Sequence, residues 1–199
     1  MTQLTVLTTL LSPLRQTRRT SALRAGLLAL ALATGSLSAL AALDVGDKAP
    51  PFSIDASLAG KVFKFSLTDK LKSGPVVLYF FPAAFSNDCT IEAHQFAEAT
   101  EQYNQLGATV IGVSSDDIDT LKRFSTTECR NKFAVASDVD QAVMKSYDAV
   151  LFYKTDYANR TSYVIAPNGT IVYQFTSLNP TRHVANTLGA LKTWIAKKP

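Results

Sequence analysis

Val76-Val77-Leu78-Tyr79-Phe80-Phe81-Pro82-Ala83-Ala84-Phe85-Ser86-Asn87-Asp88-Cys89-Thr90-Ile91-Glu92-Ala93 decides the fold of this chain. Its first six residues are apolar or aromatic and rich in β-formers, which predicts a buried strand. Pro82 ends the strand, because proline has no N–H for a sheet ladder. Ser86, Asn87 and Asp88 are good helix N-caps. After them Ala93, Phe96, Ala97, Thr100, Tyr103 and Leu106 recur on one helical face. Cys89 therefore falls in the first turn of a helix that leaves the end of a core strand. There a thiolate meets unpaired backbone N–H groups and the positive end of the helix dipole. Both favour the ionised, nucleophilic form of a cysteine.

The chain has 199 residues, and the first 43 contain no Asp or Glu. Arg15, Arg18, Arg19 and Arg24 precede an Ala/Leu/Gly run at residues 25–33, and Ala39-Leu40-Ala41 offers small residues at −3 and −1. Basic, apolar and small-residue regions in that order predict a secretory signal over residues 1–41, cleaved near Ala41–Ala42. The alternatives are an uncleaved membrane anchor, for which the apolar core is short, and an organelle transit segment. Arg18-Arg19 lacks the bulky apolar residues expected after a twin-arginine export pair. Of 20 basic residues, four are these leader arginines, so the remainder balances the 16 acidic residues. That balance gives no reason to invoke nucleic acid or an anionic membrane surface as partner; membrane association is expected only if the leader stays attached. Residues 42–199 suit one domain with one core.

Cys89 and Cys129 are the only cysteines. In an exported protein such a pair suggests a disulfide. A structural bond closing about 40 residues would contribute roughly 4 kcal/mol in the chain-entropy model. Redox chemistry at Cys89 is the competing use.

The rest of the chain follows in order. Phe52-Ser53-Ile54-Asp55 and Val62-Phe63-Lys64-Phe65 alternate around Leu58-Ala59-Gly60-Lys61 and predict an N-terminal β-hairpin. Residues 67–71 make one helical turn, and Gly74-Pro75 breaks the chain before the central strand. Gly107 marks a helix C-cap. Strand 109–113 follows, then a helix capped within residues 114–117 and carrying Ile118, Leu121, Phe124 and Ser125, with Cys129 at or just past its end. A short strand at 133–136 and a helix starting at Asp138-Val139-Asp140 come next. Strands 162–166 and 171–175 are joined by an Asn168-Gly169 hairpin turn, and Asn179-Pro180-Thr181 opens a last helix with Val184, Leu188, Leu191 and Ile195 inward. Strands alternating with helices predict an α/β fold, a mixed central sheet flanked by helices on both faces. A nucleophile at the carboxyl end of a central strand is the usual site geometry of such sheets.

The segment from Pro82 to Cys89 resembles the Pro-x-x-x-Thr/Ser-x-x-Cys signature of peroxiredoxins, in the alkyl hydroperoxide reductase/thiol-specific antioxidant superfamily. Cys89-Thr90-Ile91-Glu92-Ala93, the opening Val45-Gly46-Asp47-Lys48-Ala49-Pro50-Pro51-Phe52, and Arg160-Thr161-Ser162-Tyr163-Val164-Ile165 match as well. The pattern is most like the bacterioferritin-comigratory, or Q-type, branch and covers residues 43–195. The resemblance implies a thioredoxin-like fold and thiol-dependent reduction of hydrogen peroxide and organic hydroperoxides. It makes Cys89 the peroxidatic thiolate, oxidised to a sulfenic acid, and Arg160 its charge partner. Ser86 would hydrogen-bond the peroxide, and Pro82 would fix the loop and shield the thiolate. No metal or organic cofactor is implied. The electron donor would be a thioredoxin-like protein or another thiol, and the protein a monomer or homodimer.

Two departures stand out. The second cysteine of many Q-type members, five positions after the first, is here His94, read as a surface or packing residue. Cys129 is then the resolving candidate, through an intramolecular disulfide that requires its helix to unwind locally. Thr90 and Glu92 read as first-turn residues favoured by the dipole, Glu92 as supporting at most. A non-catalytic thioredoxin-like module with a structural disulfide remains the alternative. A thiol-disulfide exchanger is weakened by the lack of Cys-x-x-Cys. Asn159-Arg160-Thr161 and Asn168-Gly169-Thr170 are glycosylation sequons. A glycan beside Arg160 would obstruct the site, which favours a bacterial periplasm over a eukaryotic secretory route; an organelle lumen is the alternative.

Overall fold

The structure is a computed structural model and describes residues 42–197; the leader expected over residues 1–41 lies outside them. One seven-stranded mixed sheet has the order β2-β1-β5-β4-β3-β6-β7. Strands β1 (Ser53–Leu58) and β2 (Lys61–Ser66) form the expected hairpin. Ala59 and Gly60 at its tip have φ of 50° and 76°, the backbone of a two-residue primed turn, which Gly60 accepts without strain. Helix α1 (Leu67–Leu71) leads to β3 (Val76–Phe80), followed by α2 (Asn87–Gln105), β4 (Thr109–Ser114), α3 (Ile118–Thr127) and β5 (Ala134–Ser137). Helix α4 (Ala142–Ser146), β6 (Thr161–Ile165), β7 (Ile171–Thr176), a 3-10 turn at Pro180–Arg182 and α5 (His183–Ala196) complete the chain.

The central strand β3 runs parallel to β4 and antiparallel to β6. All five of its residues are buried, each apolar side chain contributing about 1.5–3 kcal/mol by leaving water. Alternate residues serve opposite faces, as the period of two requires. Val76, Leu78 and Phe80 join Leu67 and Leu71 of α1 and Val143 and Met144 of α4. Val77, Tyr79 and Phe81 join Phe96 of α2, Phe124 of α3 and Leu191 of α5. Cys89 and Cys129 belong to this second cluster.

Tyr79 pairs across the ladder with Gly112 and stacks on Phe96 at 4.3 Å. A Cβ at Gly112 would lie 2.7 Å from Tyr79 Cζ, so the glycine makes room for the ring. That ring is what α2 rests on where it passes over the sheet.

The helix expected at Asp138 begins at Ala142 instead. The Asp138 carboxylate reaches forward to accept from the amides of Val143 and Met144 at 3.0 and 2.8 Å, capping a helix it does not enter. Burial pushes this carboxyl up despite those two donors. Strand β5 lies one residue later than expected, and Leu106 and Gly107 close α2 with Gly107 at φ 70°.

Candidate active site

The loop at residues 82–86 connects the end of β3 to α2. Phe81 N still donates to Val113 O at 3.0 Å, and Pro82, partly buried, ends the pairing. Ala84 N then donates to Asp116 Oδ2 at 2.7 Å, and the same oxygen accepts from Ser114 Oγ at 2.8 Å. The end of β4 thus grips the loop through one carboxylate. Phe85 adopts φ 63° and packs edge-on against Phe124, ring centroids 5.2 Å apart.

Ser86 occupies the N-cap position of α2 with extended backbone, but its side chain does not cap. The hydroxyl donates back to Ala83 O at 2.9 Å. The side-chain cap expected from Ser86 is not made. The first-turn amides of Asn87, Asp88 and Cys89 have no acceptor within the helix, by position. Cys89 is 2% exposed.

Arg160 immediately precedes β6, which pairs with β3; the pairing carries it alongside the start of α2. Its Nη2 donates to Cys89 Sγ at 3.3 Å, its Nε to Leu178 O at 3.0 Å, and its Nη1 to Glu92 Oε2. The guanidinium is buried, and burial opposes its charge, yet Glu92 and Cys89 beside it hold it above its usual value. The expected pair of Cys89 and Arg160 is in contact.

Glu92 departs from its reading as a first-turn residue that is supporting at most. It lies in the buried stripe of α2 with Cys89, Ala93 and Phe96, fully covered, and its second oxygen has no hydrogen-bond partner. Burial pushes its carboxyl up to about 8, against the pull of Arg160. The signal was available: residues 89, 92, 93, 96, 99, 100 and 103 follow one helical face, and a glutamate on that face needs a partner.

His183, unflagged by sequence, is also fully buried at the start of α5. Its Nε2 meets Ser177 O at 2.9 Å, its Nδ1 meets Ser162 Oγ at 2.8 Å, and Glu92 Oε1 lies 3.7 Å from Nδ1. Burial pulls its imidazole down to about 4. The segment it holds, Ser177 and Leu178, is the one whose carbonyl receives Arg160 Nε.

Cys129 follows α3, whose C-cap is Glu128. Both cysteines are free and buried, so the structural disulfide allowed by the sequence is not formed in this structure. Burial pushes the Cys129 thiol far up. Arg130 and Asn131 follow it at φ 50° and 59°, a strained pair for side-chain-bearing residues. His94 Nε2 contacts Glu128 Oε2 at 2.8 Å, so the residue at the position five after Cys89 ties α2 to the segment carrying Cys129. No group of His, Cys, Asp and Glu among the described residues could hold a metal ion. A cavity of ≈ 650 Å³ is lined by Val150, Phe152, Asn159 and Gln174 among others and includes neither Cys89 nor Arg160.

Residues 45–174 match the AhpC/TSA family. The YkuU peroxiredoxin of Bacillus subtilis is 33% identical over 138 residues, 65% of this chain and 76% of its own length. The chloroplastic peroxiredoxin Q of Oryza sativa subsp. japonica is 31% identical over 149 residues, 74% of this chain; the match spans 66% of the rice protein. Among solved structures, peroxidoxin BcpB of Mycobacterium tuberculosis superposes with a TM-score of 0.70 at 24% identity, covering 79% of this chain and 99% of that one. A cysteine-to-serine mutant of Xylella fastidiosa PrxQ gives 0.69 at 24%, covering 78% and 99%. These two support the fold, which is thioredoxin-like. The strand-to-helix cysteine, the arginine in contact with it and the matches over most of the described residues agree: the chain belongs to the AhpC/TSA family and, within it, matches the Q-type peroxiredoxins.

Proposed function

We propose that this protein is a thiol-dependent peroxidase that reduces hydrogen peroxide and organic hydroperoxides at Cys89. The observation that carries the reading is the contact of Arg160 Nη2 with Cys89 Sγ, 3.3 Å, at the first turn of α2. The contact sets a buried, fixed positive charge directly against the sulfur that attacks. The thiolate attacks the distal peroxide oxygen: an S–O bond forms, the O–O bond breaks, sulfur loses two electrons and the alkoxide or hydroxide leaves with a proton. Arg160 and the Cys89 N–H face the charge that develops on the peroxide oxygens. Ser86, whose hydroxyl hydrogen goes to Ala83 O, keeps lone pairs to accept a hydrogen bond from the peroxide, and Pro82 shields the thiolate side of the loop.

Cys129 then resolves the sulfenic acid, forming an S–S bond and releasing water. Buried and protonated, it first has to leave its pocket. Unwinding the end of α3 breaks the Cys129 N to Phe124 O bond, 3.0 Å, and the His94–Glu128 contact. It also relaxes the left-handed backbone at Arg130 and Asn131. A thioredoxin-like protein or another thiol reduces the bond, and the protein works as a monomer or homodimer. Residues 1–41 are an export leader removed near Ala41–Ala42, and residues 42–199 act as one domain in a bacterial periplasm. N-terminal sequencing of protein from the exported fraction tests the leader: a chain starting near Ala42 supports it, and an intact leader in the membrane fraction contradicts it. Peroxide consumption by the reduced protein tests the activity, and turnover surviving Cys89→Ser refutes it.

A further inference from the structure

His183 and Glu92 present a proton-counting problem. Ser177 O can only accept, so His183 Nε2, 2.9 Å away, carries a hydrogen. In the neutral ring Nδ1 is then an acceptor and takes the Ser162 hydroxyl at 2.8 Å. The nearest atom of Glu92 to Nδ1 is Oε1, 3.7 Å away, and Oε1 is buried with no donor of its own. Oε2 is already occupied by Arg160. With the carboxylate ionised and the ring neutral, the charged Oε1 stays without a donor in the protein interior, beside an Nδ1 that has no hydrogen to offer it, which is costly. One proton removes the conflict, on Oε1 or on Nδ1 with Ser162 then accepting.

The other groups around Glu92 do not supply it. Arg160 faces it from the edge of β6, Asp88 stands one turn earlier on α2, and the Tyr79 phenol reaches it electrostatically from β3. Arg160 is the single fixed cation of this set. With Glu92 ionised, it would have to neutralise both that carboxylate and the Cys89 thiolate, leaving a buried negative charge.

We infer that Glu92 and His183 hold one proton between them in the reduced protein, so that the charge of Arg160 is committed to the Cys89 thiolate, with His183 as a positioning residue. The inference rests on the peroxidase reading for the state of Cys89. The step balances: the Cys89 thiol releases its proton to solvent while Glu92 keeps the one it already holds. No electrons move, and the net charge of Cys89, Arg160, Glu92 and His183 falls from +1 to zero. Burial holds the Glu92 carboxyl up near 8 and the His183 imidazole down near 4, so near neutrality the proton sits on the Glu92 side. Once Cys89 is oxidised to an uncharged sulfenic acid or disulfide, Arg160 has only Glu92 to neutralise, and the set returns to zero when Glu92 gives up the proton.

Redox-difference infrared spectra of the full protein at pH 7 test this. The expected result is a protonated-carboxyl C=O stretch in the reduced state that disappears on oxidation, shifts in D₂O and is missing from Glu92→Gln. A wild-type spectrum without that band overturns the inference. The acid limb of the pH profile of peroxide consumption gives a second reading. Glu92→Gln, isosteric with the protonated acid, moves that limb by less than about 0.3 pH unit, whereas loss of an ionised neighbour would lower it by about one unit or more. His183→Gln keeps a donor for Ser177 O but removes the ring nitrogen beside Oε1; it raises the limb by about one unit. Should His183→Gln not fold, the Glu92→Gln comparison decides alone. A protein that consumes peroxide through Cys89 but lacks the carboxyl band loses this inference only; consumption surviving Cys89→Ser removes the reading beneath it.

Discussion

Replacing Arg160 by Met keeps most of the side-chain volume and removes the guanidinium. The structure sets what is lost. Glu92, fully buried, would have neither oxygen partnered, since Oε1 already has none and Oε2 depends on Arg160. Leu178 O would lose its donor. Breaking a buried ion pair by removing one partner costs about 3–5 kcal/mol while the survivor stays charged. If the survivor protonates, the cost falls toward the roughly 1–3 kcal/mol of an unsatisfied buried polar group. Glu92 has a folded-state midpoint near 8 against 4.5 unperturbed, and without Arg160 it rises further. A carboxyl raised in the folded state binds a proton that the unfolded chain has released, so stability falls as pH increases above 4.5. The penalty of Arg160→Met is accordingly about 1–3 kcal/mol at pH 5 and approaches 3–5 kcal/mol at pH 9. Urea unfolding of wild type, Arg160→Met, Glu92→Gln and the double variant, all reduced, measures it as a double-mutant cycle. The expected coupling is about 2 kcal/mol at pH 9 and close to zero at pH 5. A coupling below about 0.5 kcal/mol at pH 9, or one that does not change with pH, refutes the reasoning.

Three further outcomes follow from other parts of the site. The Tyr79 hydroxyl is buried with no partner, so Tyr79→Phe should stabilise the fold by about 1 kcal/mol; a loss of stability in urea unfolding would mean the hydroxyl is satisfied in solution. Asp116→Ala removes the acceptor of Ala84 N and should slow peroxide consumption roughly tenfold, by loosening the loop that presents Cys89, with less than about 2 kcal/mol lost in stability; unchanged kinetics would show that the tether is idle. His183 is held well below its usual midpoint by burial, so the folded state binds fewer protons than the unfolded one between pH 6.5 and 4. Stability contributed by the neutral ring is lost as pH falls through that window, on the order of 2–3 kcal/mol, and a His183→Gln variant should show a flatter acid slope in thermal unfolding.

Local chemistry explains what could be read in advance. The strand, the proline stop and the cysteine at the helix start depend on neighbours within a few residues, and so do the Ala59-Gly60 and Asn168-Gly169 turns. Contacts across the chain were not legible. Glu92 meets an arginine 68 positions away; its helical face marks it as inward, but nothing local names that partner. His183 looks like a helix-start residue until β6 brings Ser162 against it. Asp116 reads as one of several cap residues, yet its carboxylate faces back to Ala84. Asp138 reads as a helix start because a side chain capping from several residues ahead leaves the same sequence signature as an early start. The Ala83 carbonyl takes the hydroxyl hydrogen of Ser86, which leaves its oxygen as an acceptor, a detail of one rotor that sequence does not carry.

The most direct measurement is mass spectrometry of the reduced protein after one equivalent of hydrogen peroxide, with and without a sulfenic-acid trap. The account predicts a trapped single oxygen on Cys89, followed without the trap by a Cys89–Cys129 bond two hydrogens lighter than the reduced chain. An unmodified Cys89, with peroxide left unconsumed, would contradict it.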